Sequence, residues 1–439
     1  MPTTTAMRTL DEHRAAALTL ATPLPTAVVG LADALGHVLA QDVRTDEPLP
    51  RWDNSAMDGY AVRADDVRDA SDTSPVTLRV VADLPAGSSG RPSVEPGTAA
   101  RIMTGAPVPP GADTVVPVED TDAGTTTVEV RASKAAGQHV RRTGEDAVPG
   151  DLVVAAGTLL GPAHVAAVAS VGVAQVAVHR RPRVAVISTG DELVTPGTTL
   201  AHGQIPDSNS WLLAAAVREA GGEAMRLGPV GDDPDALRDL LHGLDGGVDA
   251  IVTSGGVSVG AFDVVKAALL DEPDVVFVPV AVQPGKPQGL GRLPGGTPVF
   301  ALPGNPVSSF VSFELFVRPA LLRMRGLADV ERPTTTAVVD DGWRTPPGRA
   351  QVMPVRFVAP HTRPADASAS DDRDVAVAVQ DGSHAVPASP TPPHVVRATA
   401  GGSGSHLVAR LALAEGLAIV PPDTTVAAGD LVTVLRVAP

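Results

Sequence analysis

The chain has 439 residues and a formal net charge of −16, with 44% hydrophobic and 19% charged residues. This length predicts several compact domains, and the composition is that of a globular protein. The negative charge argues against nucleic acid or an anionic membrane as a partner, because phosphate backbones are bound by clustered Lys and Arg. Lysine occurs only as Lys134, Lys266 and Lys286, so basic character rests almost wholly on arginine.

Cysteine is absent, which excludes disulfides, thiolate metal ligands and cysteine nucleophiles. Any sulfur chemistry must therefore come from a ligand. The polar N-terminal residues lack the apolar core of a secretory signal, and we expect a cytoplasmic protein.

The first part of the chain predicts helices followed by a β unit. Thr9 and Glu12 fit a capping box that opens a helix through about Leu20. A second helix is predicted over Leu31–Leu39. From Tyr60 to Val130, short valine-rich runs alternate with turn residues, which predicts a small all-β unit.

The uncharged segment Leu152–Val178 is long enough to cross a bilayer. Glycines and Pro162 interrupt it, however, and polar side chains occur along it. We interpret the segment as two strands around a short helix that begins at Pro162, and we expect no membrane span.

From Arg183 to Asn305, strands alternate with helices, which predicts a mostly parallel α/β sheet covered on both faces. The predicted strands are Val184–Ser188, Ala250–Thr253, Val275–Val282 and Val299–Leu302. The predicted helices run from Asp207 or Ser208 to Ala220, over Pro234–Leu244, over Phe262–Leu270, and from Val307 to about Arg325. Beyond Gly326 the chain returns to short β runs, with a loop predicted at Pro360–Asp374 and a β ending at Gly416–Val437.

Four glycine-containing loops are expected at one edge of this sheet, where ligands of parallel α/β sheets bind. Glycine lets backbone N–H groups approach an anion closely, and helix N-termini add positive ends. The pattern therefore favours a phosphate or oxyanion pocket over structural turns alone. The loops are Ser188–Glu192, Ser254–Gly260, Pro284–Pro287 and Leu302–Ser308.

Carboxylates are expected at the same edge of the sheet, at Asp191, Glu192, Asp232 and Asp263. A divalent cation explains acidic groups in an anion pocket, because Mg²⁺ takes oxygen ligands and is shared between carboxylates and substrate phosphates. Helix capping by Asp232 and Asp263 is the alternative.

These segments, with polar turns elsewhere, resemble the MoeA family, whose eukaryotic relative is the E domain of gephyrin. Order and spacing match from about residue 8 to the end of the chain, including the segment Gly402–Ser405. The matching segments are Asn54–Val62, Met103–Asp113, Arg142–Asp146, Ser188–Leu193, Ser254–Gly260, Pro284–Pro287 and Pro303–Ser308.

The resemblance implies an elongated homodimer of four-domain subunits, α/β and β in class. A three-layer α/β central domain binds molybdopterin, a small helical/β domain is discontinuous, and two domains are β. The implied boundaries are 1–46 and 140–180 for domain I, 47–139 for domain II, 181–328 for domain III, and 329–439 for domain IV.

The resemblance also implies the reaction, in which molybdenum from molybdate enters adenylylated molybdopterin and AMP is released, with Mg²⁺ as cofactor. Further partners implied are the molybdopterin adenylyltransferase and molybdoenzyme apoproteins. A cofactor-binding carrier or scaffold without catalysis is the alternative, and a tungstate-selective insertase is a third option.

Functional roles are carried over by position. Catalytic roles fall to Asp58, Thr104, Asp146, Glu192, Asp232 and Asp263, of which Glu192, Asp232 and Asp263 are expected to hold Mg²⁺ or to position the hydrolytic group. Asp58 and Thr104 are expected to close the site from the partner subunit. Phosphate or pterin binding falls to Thr189, Gly190, Ser254, Gly255, Gly256, Ser258, Gly260, Lys286, Pro303, Gly304, Asn305, Pro306 and Ser308.

One departure from the family pattern concerns charge. This chain has Pro279 and Gln283 where basic residues are typical of the family, before the Pro284–Pro287 loop. Two cationic contacts for an anionic substrate are thus missing. Arg141, Arg142 or Arg292 are candidates to replace them.

Overall fold

The computed structural model describes residues 7–257, 263–359, 392–399 and 404–437. They form two compact units. The larger unit consists of Met1–Ala27, Gly36–Val38 and His179–Pro439, and the smaller unit of Val28–Leu35 and Leu39–Val178. In the described ranges, no helix combines the length and apolarity needed to span a membrane.

The smaller unit contains the predicted β unit as a five-stranded sheet. Tyr60 is fully buried in its core, and the Tyr60 hydroxyl donates to the carbonyl of Gly124 at 2.8 Å. In spatial order the strands are Thr114–Pro117, Gly59–Val62, Thr98–Ile102, Val76–Leu84 and Thr127–Val130. Two-stranded pairs join Asn54–Ser55 with Val140–Arg141, Val43–Arg44 with Leu152–Val154, and Thr26–Gly30 with Gln175–His179.

Two predictions for this part of the chain have opposite outcomes. The segment Leu152–Val178 is confirmed as strands around a helix, which spans Pro162–Ser170. The helix predicted over Leu31–Leu39 is wrong, since only a single 3₁₀ turn forms, at Leu31–Asp33. Gly36 has a positive φ of 74°, and Leu39 bridges to Val178 as extended chain.

The larger unit begins with the predicted capped helix, Leu10–Thr19. Glu12 N donates to Thr9 Oγ1 at 3.1 Å, and Thr9 N donates to Glu12 Oε2 at 2.8 Å, so both bonds of the capping box are present.

The central sheet of this unit has six strands, which are β1 (Arg183–Ser188), β2 (Glu223–Arg226), β3 (Ala250–Ser254), β4 (Val275–Pro279), β5 (Pro287–Arg292) and β6 (Pro298–Leu302). Their order across the sheet is β2-β1-β3-β6-β5-β4. All run in one direction except β5, which is antiparallel to both neighbours, so the mostly parallel sheet is confirmed.

Helices cover both faces of the sheet and make three layers. Val184 and Val186 of β1 pack toward one apolar core, whereas Ala185 and Ile187 pack toward another, as the alternation of a strand requires. The helices are α1 (Asn209–Glu219), α2 (Pro234–Leu244), α3 (Val264–Ala268), α4 (Pro306–Ser312) and α5 (Arg318–Met324), with a π-helical turn at Phe313–Val317 joining α4 to α5.

A second six-stranded sheet ends the chain, and its strand Ala350–Val358 pairs with Gly416–Val420 to close it into a small barrel. The predicted strand Val275–Val282 is wrong at its end, because β4 stops at Pro279 and Val282–Gln283 joins this barrel instead. In order the strands are Val282–Gln283, Ala350–Val358, His394–Arg397, Thr334–Val339, Leu431–Arg436 and Gly416–Val420. Short pairs join Leu193–Val194 with Ile205–Pro206 and Trp343–Arg344 with Thr425–Val426, and a helix spans Val408–Leu411. The predicted loop at Pro360–Asp374 lies outside the described residues.

Candidate functional site

All four predicted glycine loops contribute to one cavity of about 1000 Å³. Three of them follow the ends of β1, β3 and β6. The Pro284–Pro287 loop arrives differently, because it precedes the reversed strand β5, whose first residues lie opposite the end of β6. The convergence on one edge is therefore confirmed, but one loop reaches it from the start of an antiparallel strand.

Most residues assigned to phosphate or pterin binding line this cavity. Ser258 and Gly260 lie outside the described residues. The lining residues from that assignment are Thr189, Gly190, Ser254, Gly255, Gly256, Lys286, Pro303, Gly304, Asn305, Pro306 and Ser308.

The three loops that follow parallel strands touch one another through their backbones. A Cβ added to Gly255 would lie 2.8 Å from the carbonyl oxygen of Thr189, and Gly255 also has a positive φ of 104°. A Cβ added to Gly304 would lie 3.2 Å from the Cα of Gly255. Side chains at these positions would force the loops apart, so glycine sets their spacing.

The loop N–H groups divide into two sets. Gly190 N donates to Val230 O at 3.0 Å and Gly255 N to Leu302 O at 3.1 Å, so these amides shape the loops. Among the described residues, no protein acceptor meets the N–H groups of Gly256, Gly285 or Gly304. These three amides, together with the N-terminus of α4 at Pro306, are available to an anionic ligand.

The predicted carboxylates Glu192, Asp232 and Asp263 also line the cavity. Asp232 does not cap α2, because Asp233 takes that role with bonds from Asp235 N at 3.0 Å and Ala236 N at 3.2 Å. Asp232 N instead donates to Asp191 Oδ1 at 3.0 Å. Asp263 precedes α3 without a side-chain capping bond. Capping is thus the wrong explanation for both carboxylates.

The carboxylates fit a hard cation that is shared with a ligand. Oδ2 of Asp263 is buried and has no hydrogen-bond partner in the described part of the chain, an arrangement that a cation would relieve. Within the same ranges, no three carboxylates or histidines gather into a complete metal site. Mg²⁺ typically uses one or two carboxylates plus substrate phosphates, and the donor set suits that mode.

Positive charge reaches the cavity from two places. Lys286 lines the cavity and is exposed. Gln283 lines it as well, and Gln283 Oε1 accepts from Arg349 Nη1 at 2.6 Å, which places a guanidinium behind the cavity wall. Arg292, considered from sequence as a replacement cation, is the wrong candidate, because its guanidinium bonds the carbonyls of Gly296 and Leu20 at the opposite end of β5.

The other predicted catalytic residues belong to the smaller unit. Asp58 Oδ1 accepts from both the backbone N and the hydroxyl of Thr104, each at 2.7 Å. These bonds, the backbone one first, lower the pKa of Asp58 below its ordinary value. Asp146 N donates to Leu49 O at 2.9 Å. Arg141 and Arg142 also lie in this unit, and Arg142 pairs with Asp53 at 2.7 Å.

Several cavity residues escaped the sequence reasoning. Asp207 and Asn209 were read only as part of a helix start, although an Asp-Ser-Asn run ahead of a helix at this edge is a usable signal. Arg349, which bonds Gln283 of the lining but does not line the cavity itself, had no local signal. The C-terminal part of the chain adds Ser405, His406 and Val408 to the lining.

Comparison with known families matches most of the chain in three separate parts. Residues 8–172 match the MoeA N-terminal region (domain I and II). Residues 185–323 match a probable molybdopterin binding domain, and residues 393–437 match the MoeA C-terminal region (domain IV).

Individual relatives agree with these matches. Molybdopterin molybdenumtransferase 2 of Mycobacterium tuberculosis is 46% identical over 351 residues, covering 79% of this chain and 86% of the relative. Molybdopterin molybdenumtransferase 1 of the same organism is 35% identical, covering 98% of both chains. The solved structure of the molybdopterin biosynthesis MoeA protein from Pyrococcus horikoshii OT3 superposes with a TM-score of 0.75 at 26% identity, covering 98% of this chain and 100% of that one.

The hydrogen bonds from Thr104 to Asp58 predict how the pKa of Asp58 changes when one of the two donors is removed. Thr104→Val removes the hydroxyl donor but keeps the backbone N–H, so the pKa of Asp58 should rise while staying below its ordinary value of about 3.9. Carboxyl ¹³C titration by NMR of aspartate-labelled protein measures this change. Because the folded-state pKa is lowered, the stabilisation is present above about pH 3.9 and is lost as pH falls through the folded-state pKa. An unchanged Asp58 pKa in Thr104→Val would contradict the role assigned to the hydroxyl.

Proposed function

This chain belongs to the MoeA family, and from that premise we propose that it inserts molybdenum from molybdate into adenylylated molybdopterin and releases AMP. One observation carries the proposal: four glycine loops, three carboxylates and Lys286 meet in a single cavity at the ligand-binding edge of the α/β sheet. Relatives with similar sequences are named molybdopterin molybdenumtransferases.

In this proposal the glycine loops bind the phosphates of the adenylylated substrate. The amides of Gly256, Gly285 and Gly304, which meet no acceptor among the described residues, supply hydrogen-bond donors, and the start of α4 supplies a favourable dipole. The hydroxyl of Ser308, near the start of the same helix, adds another donor at the cavity wall. These groups carry no net charge, so they bind an anion without placing a cation in the cavity.

The carboxylates balance that arrangement by accepting a cation. Glu192, Asp232 and Asp263 would hold Mg²⁺ together with substrate phosphate oxygens, and Oδ2 of Asp263, which has no partner among the described residues, is a candidate ligand. When bound, Mg²⁺ neutralises charge that develops on the phosphate oxygens.

Molybdate is a second oxyanion, and the remaining cations suit it. Lys286 provides one charge at the cavity wall. Arg349 provides another from the barrel, through its bond to Gln283 at 2.6 Å. We propose that this Arg–Gln pair replaces the basic side chains that the sequence lacks at Pro279 and Gln283.

We also propose that the protein works as a homodimer in the cytoplasm. Each subunit has the four domains whose boundaries were predicted from sequence. In the dimer, Asp58, Thr104 and Asp146 act at the partner's cavity. Several apolar side chains of the smaller unit are exposed, including Val28 at 67% and Leu35 at 55%, as expected of an interface. The protein would receive its substrate from the molybdopterin adenylyltransferase and pass its product to molybdoenzyme apoproteins.

Sedimentation equilibrium should give twice the chain mass of 44.6 kDa, and a monomer at micromolar concentration would contradict the dimer.

The reaction itself is tested with Asp263→Asn. The wild-type protein should release AMP from adenylylated molybdopterin when molybdate and Mg²⁺ are present, and EDTA should stop the release. The variant loses a negative oxygen ligand but keeps the side-chain shape, so AMP release should fall at least about a hundredfold. Chromatography of released AMP measures it, with thermal unfolding as the control for folding. Wild-type protein that binds the substrate but never releases AMP would contradict the proposed function.

The Arg349–Gln283 pair is tested with Arg349→Gln. Loss of one charge-assisted interaction should raise the KM for molybdate about tenfold, with a smaller change in the KM for adenylylated molybdopterin. Arg344→Gln, which removes an exposed arginine of the same barrel region, is the matched control. Equal molybdate KM values for both variants would exclude a role for Arg349.

A further inference from the structure

We propose that Asn209 and Asp207, at the start of α1, are positioning residues that lock the loops after β1, β3 and β6 at one fixed spacing before the substrate arrives. The inference rests on the proposed function and extends it to residues that carry no assigned role. It follows from a buried hydrogen-bond network beneath the cavity.

The amide of Asn209 joins two of the loops. Asn209 Nδ2 donates to Gly304 O at 2.6 Å and to Ser254 Oγ at 2.8 Å. A carbonyl oxygen can only accept, so the amide nitrogen must face Gly304 and the orientation of the side chain is fixed. Asn209 is 8% exposed, so water does not compete well for these bonds.

The bonds continue in one direction into α4. Because Ser254 Oγ accepts from Asn209, its own hydrogen is free to pass to Ser309 Oγ, 3.0 Å away. Ser309 Oγ in turn donates to Pro303 O, near the start of the loop Leu302–Ser308. Ser254 and Ser309 are 1% and 0% exposed, respectively. The loops after β3 and β6 are therefore tied together at two points.

Asp207 ties the remaining loop to the same helix start. Its side chain is fully buried. Oδ2 accepts from Ser188 Oγ at 2.7 Å and from the hydroxyl of Ser210, and Oδ1 accepts from Ser210 N at 3.0 Å. Ser188 is the last residue of β1, directly before Thr189 and Gly190. Two side chains, two positions apart, thus hold all three loops.

The spacing that they hold is the one that glycine permits. A Cβ on Gly255 would lie 2.8 Å from the carbonyl oxygen of Thr189, which leaves no room for a side chain, and a Cβ on Gly304 would lie a tight 3.2 Å from the Cα of Gly255. Backbone contact of this kind gives little attraction by itself, since few atoms meet. The buried side-chain bonds supply the specific attraction that holds the loops of Gly256 and Gly304 at the same cavity.

The loop Pro284–Pro287 is held by hydrogen bonds that do not involve Asn209 or Asp207. Gln288 Nε2 donates to Gly285 O and to Ser312 Oγ, both at 2.7 Å. The network of Asn209 and Asp207 therefore governs three loops only, and its loss should leave the side of the cavity around Lys286 in place.

The test compares ligand affinity with stability in the full-length protein. Asn209→Leu keeps side-chain size and removes both bonds. We expect the Kd for AMP, by isothermal titration calorimetry, to rise about tenfold or more. Asp207→Asn should change it less than about threefold, because the Ser188 and Ser210 hydroxyls can accept from an amide as readily as donate. Ser309→Ala, which removes only the last link, should weaken AMP binding severalfold and answers the question if Asn209→Leu does not fold.

Thr345→Val is the matched control. Thr345 is 4% exposed, and its hydroxyl donates to Thr424 O at 2.8 Å in the barrel region, away from the cavity lining. It should lower the melting temperature and leave the AMP Kd unchanged. Asn209→Leu and Ser309→Ala proteins that lose stability as Thr345→Val does, but bind AMP like the wild type, would overturn the positioning role. Wild-type protein that fails to bind AMP would instead contradict the proposed function.

Discussion

The binding site depends on direct backbone contact between three loops at one edge of the α/β sheet. Gly255 lies against Thr189 on one side, where there is no room for a Cβ, and against Gly304 on the other, where a Cβ would be tightly crowded. This constraint brings amides from β3 and β6 within reach of one ligand and sets them beside the start of a long helix. A pocket for oxyanions follows from that geometry before any charged side chain is considered.

The charged groups then specify which anions the pocket can process. A protein of net charge −16 that places four carboxylates in an anion pocket, the buried Asp207 among them, needs a cation or a cationic ligand there. In the proposed function, Mg²⁺ shared with substrate phosphate would meet this requirement, and Lys286, with Arg349 bonded to Gln283 of the lining, would favour a second oxyanion. Adenylylated molybdopterin and molybdate together present those two kinds of anion, in agreement with the family to which the chain belongs.

Local patterns predicted the capped helix at Leu10–Thr19, four of the five parallel strands and the four loops, because these depend on periodicity and on turn chemistry. The short edge strand β2 was not predicted. Strand β5 was missed since its glycines indicate a loop. Gly289 lies against Phe277 and Ala301, so only packing across the sheet explains it. The partnership of Arg349 with Gln283, and of Asn209 with Ser254 and Gly304, joins residues 45 to 95 positions apart. No local pattern encodes such contacts.

The most direct measurement is a crystal structure of the protein soaked with AMP, Mg²⁺ and molybdate, with anomalous data collected at the molybdenum edge. The AMP phosphate should lie between the loops, accepting hydrogen bonds from the amides of Gly256 and Gly304. The molybdenum peak should lie in the same cavity, on the side of Lys286. An AMP molecule bound elsewhere, or loops whose glycines lie far apart around an empty cavity, would contradict the account.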